Sequence, residues 1–165
     1  MKRKVSFLLI IFIVSITNFS CMSMLVPKAA KKEQLQLQKI YTLPGYNKNK
    51  IYNRSIEWIK KTFIPIKDVI QTNDTNGGEI VLIGNTKMKF KYSGVQTAGI
   101  VYYVMKIDIK NEKIRITYND YHSISDNTKK PVIYETIAVQ INNQLEELSE
   151  NYLAFIKNGK IKEDW

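Results

Sequence analysis

The chain has 165 residues and carries 25 lysine and arginine side chains against 15 aspartates and glutamates, one histidine and one cysteine. This length is typical of a single domain with a core of its own. One cysteine excludes an internal disulfide, and with one histidine it also excludes a zinc site built from Cys and His ligands. The formal net charge is +10, but a basic balance alone does not identify a partner.

The first residues have the pattern of a bacterial export signal. Lys2, Arg3 and Lys4 are followed by an apolar run at residues 5–16, and the segment ends at Ser20. A charged start, a short apolar run and a small residue before the cleavage site define such a signal. The run has about 12 residues, fewer than the roughly 18–20 that a membrane-spanning helix needs. We therefore expect residues 1–20 to be an export signal peptide and the mature protein to lie outside the cytoplasm.

Cys21, the only cysteine, directly follows this signal. It resembles the lipid-modified cysteine of bacterial lipoproteins, although Asn18 replaces the aliphatic residue that is usual three positions earlier. We expect a lipid on Cys21 to anchor the protein to a membrane, because each buried CH₂ contributes about 0.8 kcal/mol. The alternative is ordinary cleavage nearby, with Cys21 lost or left free. Residues 21–34 lack a sustained period and are predicted to form a tether ahead of a single domain at residues 35–160.

The domain is predicted to begin with a strand and a helix. Polar and apolar residues alternate over 34–41, which indicates a half-buried strand. Apolar residues at helical spacing predict a helix at 48–63, and Pro65 ends it. The stripe consists of Tyr52, Ile56, Ile59 and Phe63.

Two strands and a hairpin follow. Residues 67–73 and 79–92 are predicted strands, joined by the turn sequence Asn76-Gly77-Gly78. Gly84-Asn85 indicates a bulge or a break in the second of these strands. The returning strand is therefore expected to be interrupted near its middle.

The second half of the domain predicts two further strands and a long helix. Residues 101–110 and 113–121 alternate strictly on either side of Asn111-Glu112. A helical stripe runs from Ile137 to Phe155, and Asn158-Gly159 is a natural stop. The order is strand, helix, four strands, helix. We expect an α+β fold, in which an antiparallel sheet carries both helices on one face and leaves the other face open.

The open face is the predicted binding surface. Alternation assigns Met88, Tyr103, Met105 and Ile116, with their periodic neighbours, to the face under the helices. The predicted outward residues with binding potential are Lys87, Lys89, Lys91, Tyr102, Lys106 and Arg115. The predicted outward face thus has five cationic side chains and one carboxylate, that of Asp108. This excess of positive charge favours an acidic protein or glycan partner. The alternative is a solvated lysine surface that discourages aggregation.

His122, the only histidine, is the centre of a second hypothesis. Asp120 and Asp126 are close in sequence and could orient the imidazole, which would suit a small hydrolase of the cell envelope. No serine or cysteine nucleophile motif accompanies it, so we assign no catalytic residue. We also expect no metal and no cofactor, because the sequence has neither a phosphate-binding loop nor a calcium loop.

Several motifs resemble a bacterial family of unknown function with a TATA-binding-protein-like fold, found in small exported proteins and lipoproteins of Gram-negative bacteria. The similar residues are Leu43-Pro44-Gly45, Lys48, Ile51-Tyr52, Glu57-Trp58-Ile59, Val69-Ile70-Gln71, Asp74 and the hairpin 107–115. At the hairpin tip, Asn111-Glu112 stands where the family tends to have Asp-Gly, which leaves the turn type open. The resemblance covers residues 35–122 and implies a fold and a location in the Gram-negative envelope, but no ligand.

The function expected from these observations is a non-enzymatic interaction module, anchored in the envelope through Cys21. Its partner would contact the open sheet face. A nucleic-acid partner is suggested only by basicity and by the name of the fold, and export argues against it.

Overall fold

The computed structural model describes residues 28–63, 69–92, 95–125 and 128–159. For Phe90, Lys91, Tyr92, Val95, Thr97 and Ser125 it describes only the backbone. The predicted export signal and Cys21 lie outside the described residues. No helix in the described part of the chain is long and apolar enough to span a membrane.

The domain consists of six strands and two helices within the described ranges. The strands are β1 (Leu37–Thr42), β2 (Ile70–Asp74), β3 (Glu79–Tyr92), β4 (Val95–Lys110), β5 (Lys113–Ser125) and β6 (Thr128–Pro131). The helices are α1 (Lys48–Thr62) and α2 (Glu135–Asn158), and a short 3-10 turn spans Lys32–Leu35.

The strands form one antiparallel sheet in the order β1-β5-β4-β3-β2. Strand β6 pairs with the last residues of β5, and β1 pairs with the first residues of β5 on the same side. Alternate residues of β4 are buried from Val101 to Ile109, whereas the intervening ones are partly exposed. Both helices therefore cover one face, and the predicted α+β fold is confirmed.

The core lies between the inner sheet face and the two helices. Helix α1 begins at the N-cap Asn47, whose side chain accepts the Lys50 N–H at 2.8 Å. Its buried Trp58 packs edge-on against Tyr152 of α2, with ring centroids 5.0 Å apart. The Tyr152 hydroxyl lies 2.6 Å from Ser55, so the polar atoms that this packing buries are hydrogen-bonded.

The predicted interruption at Gly84-Asn85 is wrong. Strand β3 pairs with β4 without a register shift from Glu79 to Tyr92. Gly84 faces the core, and a Cβ there would lie 2.5 Å from ring atoms of Tyr103. The glycine makes room for the tyrosine ring in a continuous strand.

The tip of the β4–β5 hairpin is tied to the loop after β1. Glu112 has a positive φ of 56° whereas Asn111 does not, a pattern that excludes a type I′ turn. The Glu112 carboxylate accepts the Gly45 N–H at 2.7 Å, and its own N–H donates to Tyr46 O at 2.9 Å. These bonds offset the strain that a non-glycine residue brings to this position.

Part of the predicted tether is folded onto the domain. Ala29 forms a bridge with Tyr134, and the Glu135 N–H donates to Lys28 O at 2.9 Å. The Glu135 side chain accepts from Gln34 and pairs with Lys28 at 3.0 Å, and these two contacts lower its pKa. Residues of the predicted tether thus contact the start of α2, which supplies partners that sequence periodicity does not show.

Candidate functional site

The candidate site is the outer face of the sheet, which no described helix covers. Tyr102 and Lys106 alternate with buried residues of β4, and they lie on this face with Arg115 of β5 and with Lys87 and Lys89 of β3. Lys91 continues the same alternation along β3, but its side chain is not described. The structure thus places the predicted residues with described side chains on one surface.

The centre of this face carries paired charges. The Lys106 ammonium contacts the carboxylate of Glu79 and lies 3.4 Å from Asp108. Arg115 donates through Nε to the other Asp108 oxygen, Oδ2, at 2.9 Å, and its Nη2 forms an ion pair with that oxygen at 2.9 Å. The hydrogen bond with Glu79 is the main cause of the raised pKa of Lys106.

This network corrects the predicted ratio of five cations to one carboxylate. Glu79 lies directly opposite Asp108 in the β3–β4 register, so it shares the outer face. The sequence count began further along β3 and missed this residue. Lys106 and Arg115 are therefore largely neutralised by their neighbours, and their surface pairs contribute about 0–1 kcal/mol each.

Unpaired cations lie towards two ends of the face. Lys87 and Lys89 are exposed, and no ion pair connects either to another residue in the described ranges. At the opposite end, Lys110 and Lys113 face each other across the hairpin, and both border a small hollow beside Ile40. These two ends keep the face electropositive, because exposed like charges leave an excess potential.

Apolar side chains lie between the cationic ends, which the sequence analysis did not include in the site. Ile83 and Ile100 are 39% and 42% exposed, and Val104 and Tyr102 lie beside them. The alternation that predicts outward lysines also predicts outward positions for these residues, but an apolar side chain on an open face is not by itself a signal of binding. An apolar strip with cationic ends suits a chain that has both apolar and acidic residues.

A β-bulge in β5 brings His122 to this surface. The register with β4 shifts between Tyr102 and Val104, and Asp120 at the bulge has a φ of 55°. The shift keeps Tyr121 in the core and stacks the His122 ring on Tyr102, with centroids 5.5 Å apart. His122 therefore forms part of the open face.

His122 contacts Asp120, as the hydrolase hypothesis requires, but Asp120 has a second partner. The His122 Nδ1 lies 2.7 Å from the Asp120 backbone oxygen and 3.8 Å from its carboxylate, which also pairs with Lys129 at 2.7 Å. None of the contacts described for the ring involves a serine or a cysteine, the nucleophiles that such a mechanism would need. Asp126, the other carboxylate considered, lies outside the described residues. The described residues also contain no cluster of three His, Cys, Asp or Glu side chains that could hold a metal ion.

A family model confirms the resemblance seen in the sequence. The model, described as a domain of unknown function (DUF4468) with TBP-like fold, matches residues 38–123, just over half of the chain. The chain belongs to the DUF4468 family. The match extends from β1 nearly to the end of β5, and thus includes five of the six described strands and α1. No curated protein matches the sequence.

Two crystal structures show the same fold. A TBP-like protein from Parabacteroides distasonis has a TM-score of 0.61 at 15% identity, and the match covers 79% of this chain and 97% of that one. A DUF4468 family protein from Bacteroides ovatus has a TM-score of 0.61 at 12% identity, with 81% and 92% covered. At this identity the similarity establishes the TBP-like fold, and the function must be argued from the surface of this DUF4468 chain.

Proposed function

We propose that this DUF4468 protein is a non-enzymatic protein-binding module whose partner docks on the outer face of the sheet. The observation that carries the proposal is the exposed apolar strip at Ile83 and Ile100, bordered by the unpaired Lys87 and Lys89. Apolar contacts would supply much of the binding free energy, and the lysines would orient an acidic segment. An apolar strip favours a protein partner over a glycan, which offers mainly hydroxyl groups.

The test is crosslinking in intact cells with a double charge reversal, Lys87→Glu and Lys89→Glu. We expect at least tenfold less of a specific protein to be recovered than with the unaltered protein, because repulsion replaces attraction at one end of the strip. The matched control is Lys32→Glu with Lys60→Glu, two exposed lysines away from this face, which changes the net charge equally.

Three results would contradict the proposal. The first is equal recovery of the same protein with both double variants, which would mean that Lys87 and Lys89 are solvated and do not contact the partner. The second is recovery of a carbohydrate without a protein, which would assign the face to a glycan. The third is hydrolysis of an envelope substrate that disappears in His122→Ala, which would support the enzymatic alternative.

We further propose that the module is held in the envelope of a Gram-negative bacterium by a lipid on Cys21. The support is the sequence pattern of residues 1–21, with a charged start, a short apolar run and a small residue before the cysteine. We expect Cys21→Ala to move the protein from the membrane fraction to the soluble fraction of lysed cells. If the variant remains in the membrane fraction to the same extent, the lipid anchor is excluded.

A further inference from the structure

The second half of β3 forms an open edge of the sheet. Strand β2 pairs with β3 only from Glu79 to Leu82, and one further bond joins the Ile83 N–H to Val69 O at 2.9 Å. Beyond it, no strand of the described chain pairs with β3 on this side. Such an edge presents unpaired backbone N–H and C=O groups, to which another extended chain can bond.

The bond at Ile83 shows which backbone groups point to the open edge. In an antiparallel strand, the N–H and C=O of every second residue point to the same side. Since the Ile83 N–H points away from β4, the backbone groups of Asn85, Lys87 and Lys89 do so as well. The Lys87 carbonyl confirms this direction, because it accepts a hydrogen bond from the Gln144 side chain of α2 at 3.5 Å. The same Gln144 amide donates to Thr86 Oγ1 at 2.9 Å, so of the Lys87 backbone groups on this side the N–H is the one left for a partner.

A groove runs along this edge between β3 and α2. Its helical wall carries the polar side chains of Gln140, Asn143, Gln144 and Glu147. Next to it lies a cavity of about 350 Å³, which Lys87 and Gln144 also border. A strand edge beside a helix is the geometry in which several peptide-binding domains receive an extended segment.

The cavity beside the groove has a mixed lining. Phe63, Leu145, Leu148 and the ring of the buried Tyr103 form its apolar part. Its polar part consists of Thr62, Asn85, Thr86, Lys87 and Gln144. The cavity therefore offers room for an apolar side chain of a ligand next to the polar groups of the strand edge.

We propose that an extended segment of a partner protein binds this groove as an added strand, bonded to the backbone of Asn85 and Lys89 and to the N–H of Lys87. This inference rests on the proposed function, since it assumes a protein partner. Side chains of the added strand alternate between the two faces. Those on the outer face meet Lys87 and Lys89 and are acidic, whereas those on the inner face are apolar and enter the cavity.

A second copy of this chain fits the edge less well than an acidic segment. Pairing of two β3 edges would bring the lysines of one copy next to those of the other, and like charges in cross-strand pairs are destabilising. The groove also contains the carboxylate of Glu147 on its helical side. Acidic residues of the segment would therefore be confined to the lysine side, which fixes the orientation of its two faces.

The test compares Lys87→Pro with Lys87→Gln. Both variants lose the same charge, but only proline removes the N–H that points to the open edge, and the ladder with β4 does not use this N–H. The probe is a peptide selected on the full-length unaltered protein from a display library of random dodecamers. We expect Lys87→Gln to weaken its Kd by less than fivefold and Lys87→Pro by more than twentyfold, with circular dichroism unchanged in both.

A second variant tests the cavity without altering the strand. Thr62 is exposed and borders the cavity, so Thr62→Trp fills it while Thr62→Ala leaves it open. We expect the tryptophan variant to bind the peptide at least tenfold more weakly and the alanine variant to bind it as the unaltered protein does. Amide hydrogen exchange should show slower exchange at Asn85, Lys87 and Lys89 when the peptide is bound.

The outcomes separate this inference from the proposed function. If Lys87→Pro binds as well as Lys87→Gln and the three amides stay unprotected, strand addition is overturned, whereas cellular capture through the outer face can still succeed. Selected peptides without alternating acidic and apolar residues would also overturn it. Concentration-dependent dimerisation that Lys87→Pro abolishes would assign the edge to a second copy and reject the acidic segment.

Discussion

At the scale of single residues, Glu112 and Gly84 show how one side chain, present or absent, affects the contacts between strands and loops. Glu112 adopts the left-handed conformation that glycine normally takes at the hairpin tip. Its carboxylate and backbone bond to the loop at Gly45 and Tyr46, so the residue that departs from the family pattern links the hairpin to β1. Gly84 matters for packing and not for backbone conformation, because the Tyr103 ring occupies the space that a Cβ would need.

Gly84→Ala should destabilise the domain by about 1–3 kcal/mol, the usual range for an overpacked core. The added Cβ would lie 2.5 Å from the Tyr103 ring, which cannot move freely because it also packs edge-on against Tyr118 at 5.7 Å. Urea denaturation measures the loss. In a Tyr103→Leu background the same substitution should cost less than about 1 kcal/mol, since the ring is gone. An equal cost in both backgrounds would show that the strain has another source.

At the scale of secondary-structure elements, periodic patterns predicted most of the fold. Helix α1 was predicted to within one residue of its end, and the stop of α2 at Gly159 was found because glycine there adopts a φ of 72°. The alternation of β4 and β5 also assigned the inner and outer faces correctly. Each of these elements buries one face, and the burial of one face produces the regular spacing of apolar residues on which the prediction depends.

The elements that were missed lack such a face. All four residues of β6 are exposed, so its pairing with β5 leaves no apolar pattern. The start of β4 at Val95 was hidden by glycine and alanine residues that resemble a loop. Residues 28–34 were predicted to be part of a tether because their partners, Tyr134 and Glu135, are about a hundred positions away in sequence.

The candidate site was predictable in its residues but not in its interactions. Alternation places Lys106 and Arg115 outward, yet their partners depend on strand register. The β3–β4 register sets Glu79 opposite Asp108, and this pairing neutralises the centre of the face. The groove beside β3 depends on where β2 ends relative to β3, which no pattern within either strand specifies.

At the scale of the whole molecule, the two proposed contact surfaces meet at β3. Lys87 and Lys89 project to the outer face, and their backbone groups point to the open edge. A single partner segment could therefore bond to the edge while its acidic side chains reach the lysines. The paired charges around Asp108 would then separate this cationic end from the one at Lys110 and Lys113, so the segment that bonds to the edge meets the lysines of β3.

The stability of the whole domain should depend on alkaline pH through its buried tyrosines. Burial is the main cause of the raised pKa of Tyr103, Tyr118, Tyr121 and Tyr152, because a phenolate inside the core would lack solvation. In the unfolded chain these hydroxyls ionise near a pH of about 10. The unfolded state therefore binds fewer protons above that pH, and the free energy of unfolding falls as the pH rises.

We expect the free energy of unfolding to fall only above about pH 10. The slope should reach up to about 5 kcal/mol per pH unit when four tyrosines contribute. Since domains of this kind are stable by about 5–15 kcal/mol, unfolding should follow within a few pH units. Urea denaturation at several pH values measures the decline, and Tyr118→Phe should make it shallower by about one quarter. Phenolate absorbance from these tyrosines should rise together with the loss of helical circular dichroism. If it rises while the dichroism is unchanged, the rings are accessible to hydroxide and the core is looser than the structure shows.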